Sequence, residues 1–349
     1  MNKNHFALIM AGGQGTRFWP WSTADKPKQF LAIVGNKPLV TQTYRRLKKF
    51  IPANNIFIIA DRKYLAAVRA CIPKFPRRNF IAEPAPRNTA PALIQTNIVL
   101  SRIDPDANLL VVPADHYIAD EKTFARQLKT ALAHAENRCI ITAGIKPSEP
   151  HTGYGYIHFV SREATGDFFP VKQFKEKPDR KTASEYLKKG NFYWNSGMFV
   201  YKISFFKEFV KKYAPYYGKQ YDKLEKAFPD VRKFAAIYIE TKPESIDYAL
   251  MEKMKEVVMF QARFSWNDVG SWSSVYEMNE KTPEKNVCRG KVIAIDTVRS
   301  LLFSDQSKPL AIIGLDQVAV IQTENGILVA PLGRLQQVKQ VIEKLKNKK

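Results

Sequence analysis

The chain has 349 residues, of which 45% are hydrophobic and 25% charged. This balance excludes an intrinsically disordered or collagen-like chain. Lys and Arg number 55 against 33 Asp and Glu, which gives a net charge of +22. An anionic partner such as nucleic acid is one explanation, but the basic residues are interleaved with acidic and aromatic ones. A basic surface that mainly sets solubility is therefore the simpler interpretation.

Cysteine usage and the apolar segments bear on the cellular compartment. Cys71, Cys139 and Cys288 are odd in number and far apart, so neither a disulfide framework nor a metal-binding knuckle is expected. The first residues run into a short apolar strand without a signal-peptide pattern. No uninterrupted apolar stretch approaches the roughly 20 residues that span a bilayer. We therefore expect a cytoplasmic protein with no membrane partner.

The first 150 residues alternate between short apolar runs and helical patterns. Strands are predicted at 6–11, 56–60, 109–112 and 139–143, and helices at 37–50, 89–102 and 121–136. This alternation is typical of a doubly wound, mostly parallel sheet. Such sheets bind ligands beyond the carboxyl ends of their strands, which is where Gly12-Gly13 and Asp115 are located.

Beyond residue 150 the pattern changes twice. Strand-like segments at 167–175 and 193–201 predict a mixed or antiparallel extension that forms the second wall of a cleft, followed by helices at 203–227 and near 243–254. From about residue 283, short apolar runs alternate with turns before a final helix at 333–346; the runs lie at 291–295, 309–313, 317–321 and 327–330. We expect domains over 1–282 and 283–349, the second being a short β-helix or a compact sandwich.

A glycine-rich turn, Gly12-Gly13-Gln14-Gly15-Thr16-Arg17, follows the first strand. It is not a Rossmann fingerprint, because the third glycine is absent, nor a Walker A loop, because no Gly-Lys-Ser/Thr closes it. Such a turn still exposes backbone N–H groups to phosphate oxygens, and Arg17 and Lys28 supply cations on either side. The sequence therefore predicts a phosphate-binding site here.

This turn, with Phe18-Trp19-Pro20-Trp21-Ser22 and Lys26-Pro27-Lys28-Gln29-Phe30-Leu31 after it, resembles the signature of the sugar-phosphate nucleotidylyltransferases. The Arg-Phe-Trp-Pro-x-Ser continuation is similar to their bacterial mannose-1-phosphate guanylyltransferase branch. Further motifs follow in the family's order and with family-like spacing. The resemblance covers residues 6–272 closely and the C-terminal unit more loosely.

The second motif, Glu83 to Ala92, is similar to the family's nucleobase segment. Asn88 or Thr89 is also expected to cap the following helix. Guanine presents N1–H and N2–H₂ donors beside O6, and Glu83 with backbone carbonyls could accept from them. A site of this kind rejects a base that lacks those donors by about 10⁴ or more. The nucleotide-binding residues that the resemblance implies are Ala11, Gly12, Gly13, Gly15, Thr16, Glu83, Asn88 and Thr89.

Two aspartates are candidates for metal binding. Asp115 directly follows a buried strand in Pro113-Ala114-Asp115-His116, where a lone aspartate is most often an ordinary turn residue. Together with Asp268 in Trp266-Asn267-Asp268, however, it matches the positions where the family places its metal aspartates. Mg²⁺ commonly takes one or two carboxylates plus substrate phosphates. We leave His116 outside the chemistry.

Three motifs resemble the family's sugar-contacting segments: Gly153 to Tyr156, Phe174 to Pro178, and Trp194 to Phe199. Glu176 and Asn195 can hydrogen-bond vicinal hydroxyls, while Lys177 can neutralise the sugar phosphate. The sugar-phosphate residues implied by the resemblance are Tyr154, Gly155, Glu176, Lys177 and Asn195.

The resemblance implies a Rossmann-like, doubly wound mixed sheet over residues 1–282 as the catalytic domain, with a small β-helix-like C-terminal unit and a terminal helix. It also implies Mg²⁺-dependent condensation of GTP with mannose 1-phosphate, by a homodimer. The catalytic residues would be Arg17, Lys28, Asp115, Lys177 and Asp268. The isomerase domain that some relatives carry after the transferase is not expected within 349 residues.

Three alternatives stay open at this stage. The same chemistry could use another nucleotide or another sugar 1-phosphate, such as a heptose 1-phosphate. A non-catalytic nucleotide- or nucleic-acid-binding protein would exploit the net charge of +22, but no helix-turn-helix, zinc-finger or ribonucleoprotein motif supports specific binding to nucleic acid. A catalytically dead homologue is disfavoured, because all the charged residues of the motifs are present.

Overall fold

The computed structural model describes residues 5–13 and 15–346, so Gln14 of the glycine-rich turn lies outside the described residues. Strands and helices alternate up to residue 145. They are β1 (His5–Met10), α1 (Leu39–Lys48), β2 (Ile56–Asp61), α2 (Leu65–Cys71), β3 (Phe80–Glu83), α3 (Thr89–Ser101), β4 (Asn108–Pro113), β5 (Tyr117–Ile118), α4 (Glu121–His134) and β6 (Ile140–Ile145). The predicted alternation is therefore confirmed, with β3 and the short β5 as additional strands.

The next segment mixes antiparallel strands with helices. It comprises β7 (Tyr156–Phe159), β8 (Phe168–Lys175), α5 (Arg180–Lys189), β9 (Phe192–Lys202), α6 (Ile203–Tyr213), α7 (Pro215–Ala227), α8 (Val231–Glu240), β10 (Val257–Gln261), β11 (Trp266–Asn267) and α9 (Trp272–Met278). The helix expected near 243–254 is instead a π-helical turn at Asp247–Met251. The helices expected at 203–227 are confirmed as two, which are separated at Ala214 because Pro215 starts the second.

One mixed sheet organises this larger part of the chain, with strand order β3-β2-β1-β4-β9-β6-β10-β8-β7. β1 runs parallel to β2 and β4, and β6 runs parallel to β10. β9 lies antiparallel between β4 and β6, so that Phe199 is opposite both Val111 and Thr142. The Rossmann-like doubly wound fold is thus confirmed. The antiparallel pairing expected for 193–201 is confirmed, but β9 lies at the centre of the sheet rather than in an extension beyond it.

Helices cover both faces of the sheet. On one face α3, α6, α7 and α8 enclose a core that includes Leu8, Ile98, Phe206 and Tyr221. On the other face α1, α2 and α4 pack over Ile9, Ile58 and Leu128. Strands buried on both faces read as continuous apolar runs, which is why β1, β2 and β4 were visible in the sequence. The carboxyl ends of β1 and β4 are left at one edge, where the glycine-rich turn and Asp115 lie.

The C-terminal unit winds as a short β-helix. Its strands are β12 (Val287–Arg289), β13 (Val292–Ile295), β14 (Leu301–Ser304), β15 (Leu310–Ile313), β16 (Val318–Thr323) and β17 (Gly326–Pro331). Parallel pairing aligns Leu301 with Ala319 and Val292 with Leu310, a step of 18 residues in both cases. This winding selects the β-helix over the compact sandwich. A 3-10 turn (Leu332–Gln337) precedes α10 (Val338–Lys346), so the final α-helix is shorter than expected.

The β-helix packs directly on the glycine-rich end of the larger part. Phe18, Trp21 and Trp272 share one buried cluster with Phe303 and Leu335. The hydroxyl of Thr323 donates to the carbonyl of Pro20 at 3.1 Å. Among residues 5–13 and 15–346, none of the helices has the length and apolar character that crossing a bilayer requires.

Candidate active site

The glycine-rich turn is held in place by the side chain of Gln29, to which the sequence analysis gave no role. The amide of Gln29 donates to the carbonyls of Ala11 at 2.7 Å and Gly13 at 3.0 Å. Gly15 has a φ of +57°, and a Cβ there would lie 2.7 Å from the backbone nitrogen of Lys28. Glycine is therefore required at position 15. Thr16 begins a short 3-10 turn, Thr16–Phe18, which carries Arg17.

Lys28 joins three motifs that are far apart in the sequence. Its side chain is buried, with 6% of the residue exposed. The Nζ donates to Oδ2 of Asp115 at 2.7 Å and to the backbone carbonyl of Asp268 at 2.5 Å. Burial by itself would raise the pKa of Asp115, but the charges of Lys28 and His116 outweigh it and hold the pKa below its usual value. Asp115 is therefore ionised at neutral pH.

The carboxylate of Asp268 is fixed on its other side. The hydroxyl of Tyr154 donates to Asp268 Oδ1 at 2.8 Å. A Cβ at Gly270 would lie 2.9 Å from Asp268 Oδ2, so this glycine permits the close approach of the carboxylate. Burial, and then the charge of Asp268, raise the pKa of Tyr154 well above its ordinary value. The phenol therefore stays a hydrogen-bond donor.

A first cavity of about 560 Å³ lies over the glycine-rich turn. Gly12, Gly13, Glu83, Asn88 and Thr89 all line it, as the sequence analysis predicted for a shared site. A Cβ at Gly12 would lie 3.3 Å from Glu83 Oε2. The turn and Glu83 are therefore neighbours in the structure.

Glu83 is the buried acid of this cavity, with 7% of the residue exposed. Its Oε1 accepts a hydrogen bond of 2.7 Å from the hydroxyl of Tyr238. Burial raises the pKa of Glu83 to about 7, although the Tyr238 hydrogen bond acts in the opposite direction. The carboxyl thus changes charge close to neutral pH.

Asn88 and Thr89 shape the rim of the first cavity. Asn88 adopts a φ of +67°, and its side chain caps α3 by accepting from the backbone nitrogen of Thr89 at 2.8 Å. The capping role is therefore confirmed for Asn88. The hydroxyl of Thr89 accepts from the backbone nitrogen of Ile246 at 2.7 Å. This bond ties the rim to the segment that carries Asp247.

Asp247, which also lines the first cavity, belongs to a group of polar side chains that includes three of the predicted sugar-phosphate residues, Asn195, Glu176 and Lys177. Asn195 donates from Nδ2 to Asp247 Oδ1 at 2.9 Å and accepts on Oδ1 from Thr142 at 3.1 Å. Glu176 is buried and paired with Lys177. Burial, and then the charge of Glu176, raise the pKa of Asp247. Asp247 was missed because a lone aspartate in a helical pattern has no distinguishing signal.

Backbone contacts complete this group. The backbone nitrogen of Glu176 donates to Glu252 Oε1 at 2.9 Å. Gly155 lies against both the Glu176 carboxylate and the Cβ of Asn195, so a larger residue would collide with them. Glu176, Gly155 and Asn195 therefore meet as expected. Tyr154 does not point into this group, because its hydroxyl bonds Asp268 instead.

Arg17 lines a second cavity, of about 420 Å³, rather than the first. Asp268, Tyr154, Arg180 and Lys339 also line it. Asp268 thus borders the second cavity, while Asp115 lies two residues after Pro113, which borders the first. Lys28 bonds the carboxylate of Asp115 and the backbone carbonyl of Asp268, and so links a residue near the first cavity to one that lines the second.

The remaining histidine of the Asp115 motif has a structural contact. His116 Nδ1 is 3.1 Å from the indole nitrogen of Trp266, and its pKa is lowered, first by burial. This supports leaving it outside the chemistry. Within the described residues, no three or more His, Cys, Asp or Glu side chains are grouped as a metal site.

Family models match two stretches of the chain. A nucleotidyl transferase model matches residues 6–285, and a model of the MannoseP isomerase/GMP-like beta-helix domain matches residues 290–345. The chain therefore belongs to the nucleotidyl transferase family, in the group of bacterial mannose-1-phosphate guanylyltransferases. Enzymes of this family act on a nucleoside triphosphate and a sugar 1-phosphate and generally use a divalent metal ion.

Individual relatives match over nearly the whole chain. The chain is 36% identical to mannose-1-phosphate guanylyltransferase of Escherichia coli strain K12, covering 98% of this chain and 73% of that protein. It is 35% identical to mannose-1-phosphate guanylyltransferase ManC of Salmonella typhimurium, with coverage of 98% and 73%. The crystal structure of a mannose-1-phosphate geranyltransferase from Thermus thermophilus superposes with a TM-score of 0.88 at 30% identity, covering 98% of this chain and 99% of that one.

Proposed function

We propose that the protein transfers GMP from GTP to α-D-mannose 1-phosphate, producing GDP-mannose and pyrophosphate. The observation that carries this is the bridge made by Lys28, whose Nζ contacts the carboxylate of Asp115, near the first cavity, and the carbonyl of Asp268, which lines the second. A transfer between two phosphates needs such a cationic centre with a binding space on either side. Relatives named for xanthan and alginate biosynthesis suggest that the product feeds polysaccharide synthesis.

The first cavity is proposed to select guanine. Glu83 presents a buried carboxylate beside Gly12, and Tyr238 occupies one of its oxygens. In its ionised form Glu83 can accept from guanine N1–H and N2–H₂. Adenine lacks these paired donors, so binding it would leave a buried carboxylate unpaired. The N–H groups of the glycine-rich turn would then meet the α-phosphate.

The metal is proposed to be Mg²⁺, held by Asp115 and Asp268. Both residues offer hard carboxylate oxygens, and one oxygen of each already bonds Lys28 or Tyr154, which leaves the other for a metal. The ion would neutralise charge on the phosphates that approach it. Tyr154 and Gly270 would then orient the Asp268 carboxylate toward the metal, Tyr154 by its hydrogen bond and Gly270 by leaving space beside Oδ2.

The chemical step needs no general base. The attacking phosphate oxygen of mannose 1-phosphate is already an anion, so the barrier comes from bringing two polyanions together in line. Positioning and charge stabilisation therefore supply the catalysis. Arg17 would hold the β- and γ-phosphates that leave as pyrophosphate, while Lys28 and Lys177 flank the transferred phosphorus. The pyrophosphate retains the electrons of the broken P–O bond.

The sugar is proposed to bind at the group around Glu176 and Asn195. Glu176 is buried and can accept from vicinal hydroxyls, and Lys177 at its side can neutralise the sugar phosphate. Asp247, held by the Asn195 amide, adds a second acceptor beside the first cavity. Gly155 leaves room because it has no side chain.

Two substitutions test this proposal. Removing one well-placed charge at a transferring phosphoryl group costs about 10³-fold in turnover, so Arg17→Ala and Asp268→Asn are each expected to lower turnover by orders of magnitude. Asp316→Asn is the matched control, because Asp316 pairs with Arg299 on the exposed β-helix. Near-normal activity of either site variant would refute the assigned roles, and circular dichroism confirms that the fold survives.

A homodimer and a cytoplasmic location belong to the same proposal; the first rests on the family resemblance and the second on the sequence. Light scattering of the purified protein and fractionation of the cell test them. The alternative is that this protein catalyses the same reaction with another nucleotide or with a heptose 1-phosphate. Kinetics with a panel of substrates distinguish the two.

A further inference from the structure

The second cavity gathers cations from three distant parts of the chain. Arg17 comes from the turn after β1, Arg180 from the first turn of α5, and Lys339 from the first turn of α10. All three residues are exposed. In the part of the chain that the structure describes, none of them forms an ion pair, although many other lysines and arginines do.

The acids around this cavity do not cancel its charge. Glu149 and Asp268 also line it, but Asp268 is already engaged by the hydroxyl of Tyr154. Three cations therefore face two carboxylates, while Lys28, behind Asp268, is already paired with Asp115. A concave surface with this excess of positive charge attracts polyanions. Arginine and lysine together are the usual partners of phosphate oxygens.

The backbone at Lys339 is anchored by the packing of its neighbours. Its neighbour Val338 is buried in the same cluster as Phe18, the residue that follows Arg17. Leu335 of the preceding turn is buried there too, which places Gln336 at the cavity wall. The packing of α10 against the turn Thr16–Phe18 thus sets Lys339 and Arg17 on one cavity.

From this arrangement we propose that Lys339 and Arg180 bind the terminal phosphates of the nucleotide, and hence the pyrophosphate product, together with Arg17. This inference rests on the proposed function, since it extends the phosphate path beyond Arg17. The C-terminal helix then completes the substrate site, and the β-helix acts as the support that holds this helix in place. Both residues bind substrate, and neither takes part in bond making or breaking.

The test compares Lys339→Ala and Arg180→Ala with Lys344→Ala, a control on the same helix that lines a different cavity beside β17. In the forward reaction the KM for GTP is expected to rise about five- to tenfold for each of the first two variants, since about 1.4 kcal/mol corresponds to a factor of ten. The KM for pyrophosphate in the reverse reaction is expected to rise equally. The KM for mannose 1-phosphate is expected to stay within about twofold, and Lys339→Arg is expected to restore GTP binding.

Calorimetric binding of inorganic tripolyphosphate provides a readout that needs no turnover. The wild-type protein and Lys344→Ala are expected to bind it equally, and Lys339→Ala several-fold more weakly. Unchanged affinity in Lys339→Ala and Arg180→Ala would overturn the inference. So would an equal rise in the KM for mannose 1-phosphate, which indicates a general structural effect. Failure of the wild-type protein to release pyrophosphate from any substrate pair would instead refute the proposed function, and the binding measurement would still decide this inference.

Discussion

Replacing Glu83 by glutamine tests how the protein recognises its base. The carboxylate is buried, accepts from Tyr238 on one oxygen, and has the other oxygen beside Gly12 at the first cavity. A glutamine presents one acceptor and one NH₂ group, so guanine's two donors would meet a donor. Such a mismatch costs about 2–4 kcal/mol, or roughly 30- to 1,000-fold in kcat/KM for GTP. The kcat/KM for ATP is expected to change little.

The same residue predicts how GTP use depends on pH. Burial raises the pKa of Glu83 to about 7, and only the ionised form accepts both guanine donors. About one pH unit below that pKa, roughly a tenth of the carboxyl is ionised, so kcat/KM for GTP is expected to be about tenfold below its plateau at higher pH. Glu83→Gln is expected to lose this dependence.

Tyr238→Phe is the matched control for the pH effect. It keeps the carboxylate but removes the hydroxyl whose hydrogen bond lowers the pKa of Glu83. The midpoint of the GTP profile is therefore expected to move to higher pH. The experiment measures initial rates of pyrophosphate release from about pH 6 to 9, with GTP and with ATP, for the wild type, Glu83→Gln and Tyr238→Phe. An unchanged GTP preference and pH profile in Glu83→Gln would refute the reasoning.

Three further predictions concern the sugar, the metal aspartate and stability. Glu176→Gln is expected to raise the KM for mannose 1-phosphate about tenfold while the KM for GTP holds; steady-state kinetics that show a change only for GTP would contradict this. Gly270→Ala would place a Cβ 2.9 Å from Asp268 Oδ2 and displace that carboxylate. The kcat is therefore expected to fall at least about tenfold with an unchanged Tm. A normal kcat would disprove the role of this glycine. Because the folded-state pKa of Glu83 is raised to about 7, the folded protein retains a proton that the unfolded chain loses, and its stability falls as pH rises from about 4.5 to about 7. Glu83→Gln removes that loss and is expected to be about 1–3 kcal/mol more stable than wild type at pH 8 but not at pH 4, as urea unfolding would measure; equal stabilities at both pH values would argue against it.

The sequence predicted the parallel part of the sheet well, because strands buried on both faces are continuous apolar runs. It could not place β9, since an apolar run of this kind has the same pattern at the centre of a sheet and in an extension of it. The central position of β9 follows only from its pairing with both β4 and β6. The β-helix was likewise ambiguous until the 18-residue register linked its short strands.

At the site, motif residues were predictable and their supports were not. Lys28, Asp115 and Asp268 could be singled out by residue type and by the family resemblance, and the structure brings them together. Gln29 stands inside the first motif but received no role, because only the structure shows its contact with the glycine-rich turn. Asp247 carries no signal in one sequence, because its contact is with a distant chain segment. Lys339 resembled any other lysine of a solvated helix until the packing of α10 placed it at the second cavity.

The most direct test of the central claim is pyrophosphate release by the purified protein with Mg²⁺. Each of the four nucleoside triphosphates is combined with a panel of hexose and heptose 1-phosphates, and the nucleotide sugar is identified by mass spectrometry. We predict rapid release only for GTP with mannose 1-phosphate, with GDP-mannose as the product. Faster release with another pair would contradict the assigned guanine and mannose recognition, and no release from any pair would contradict the proposed reaction itself.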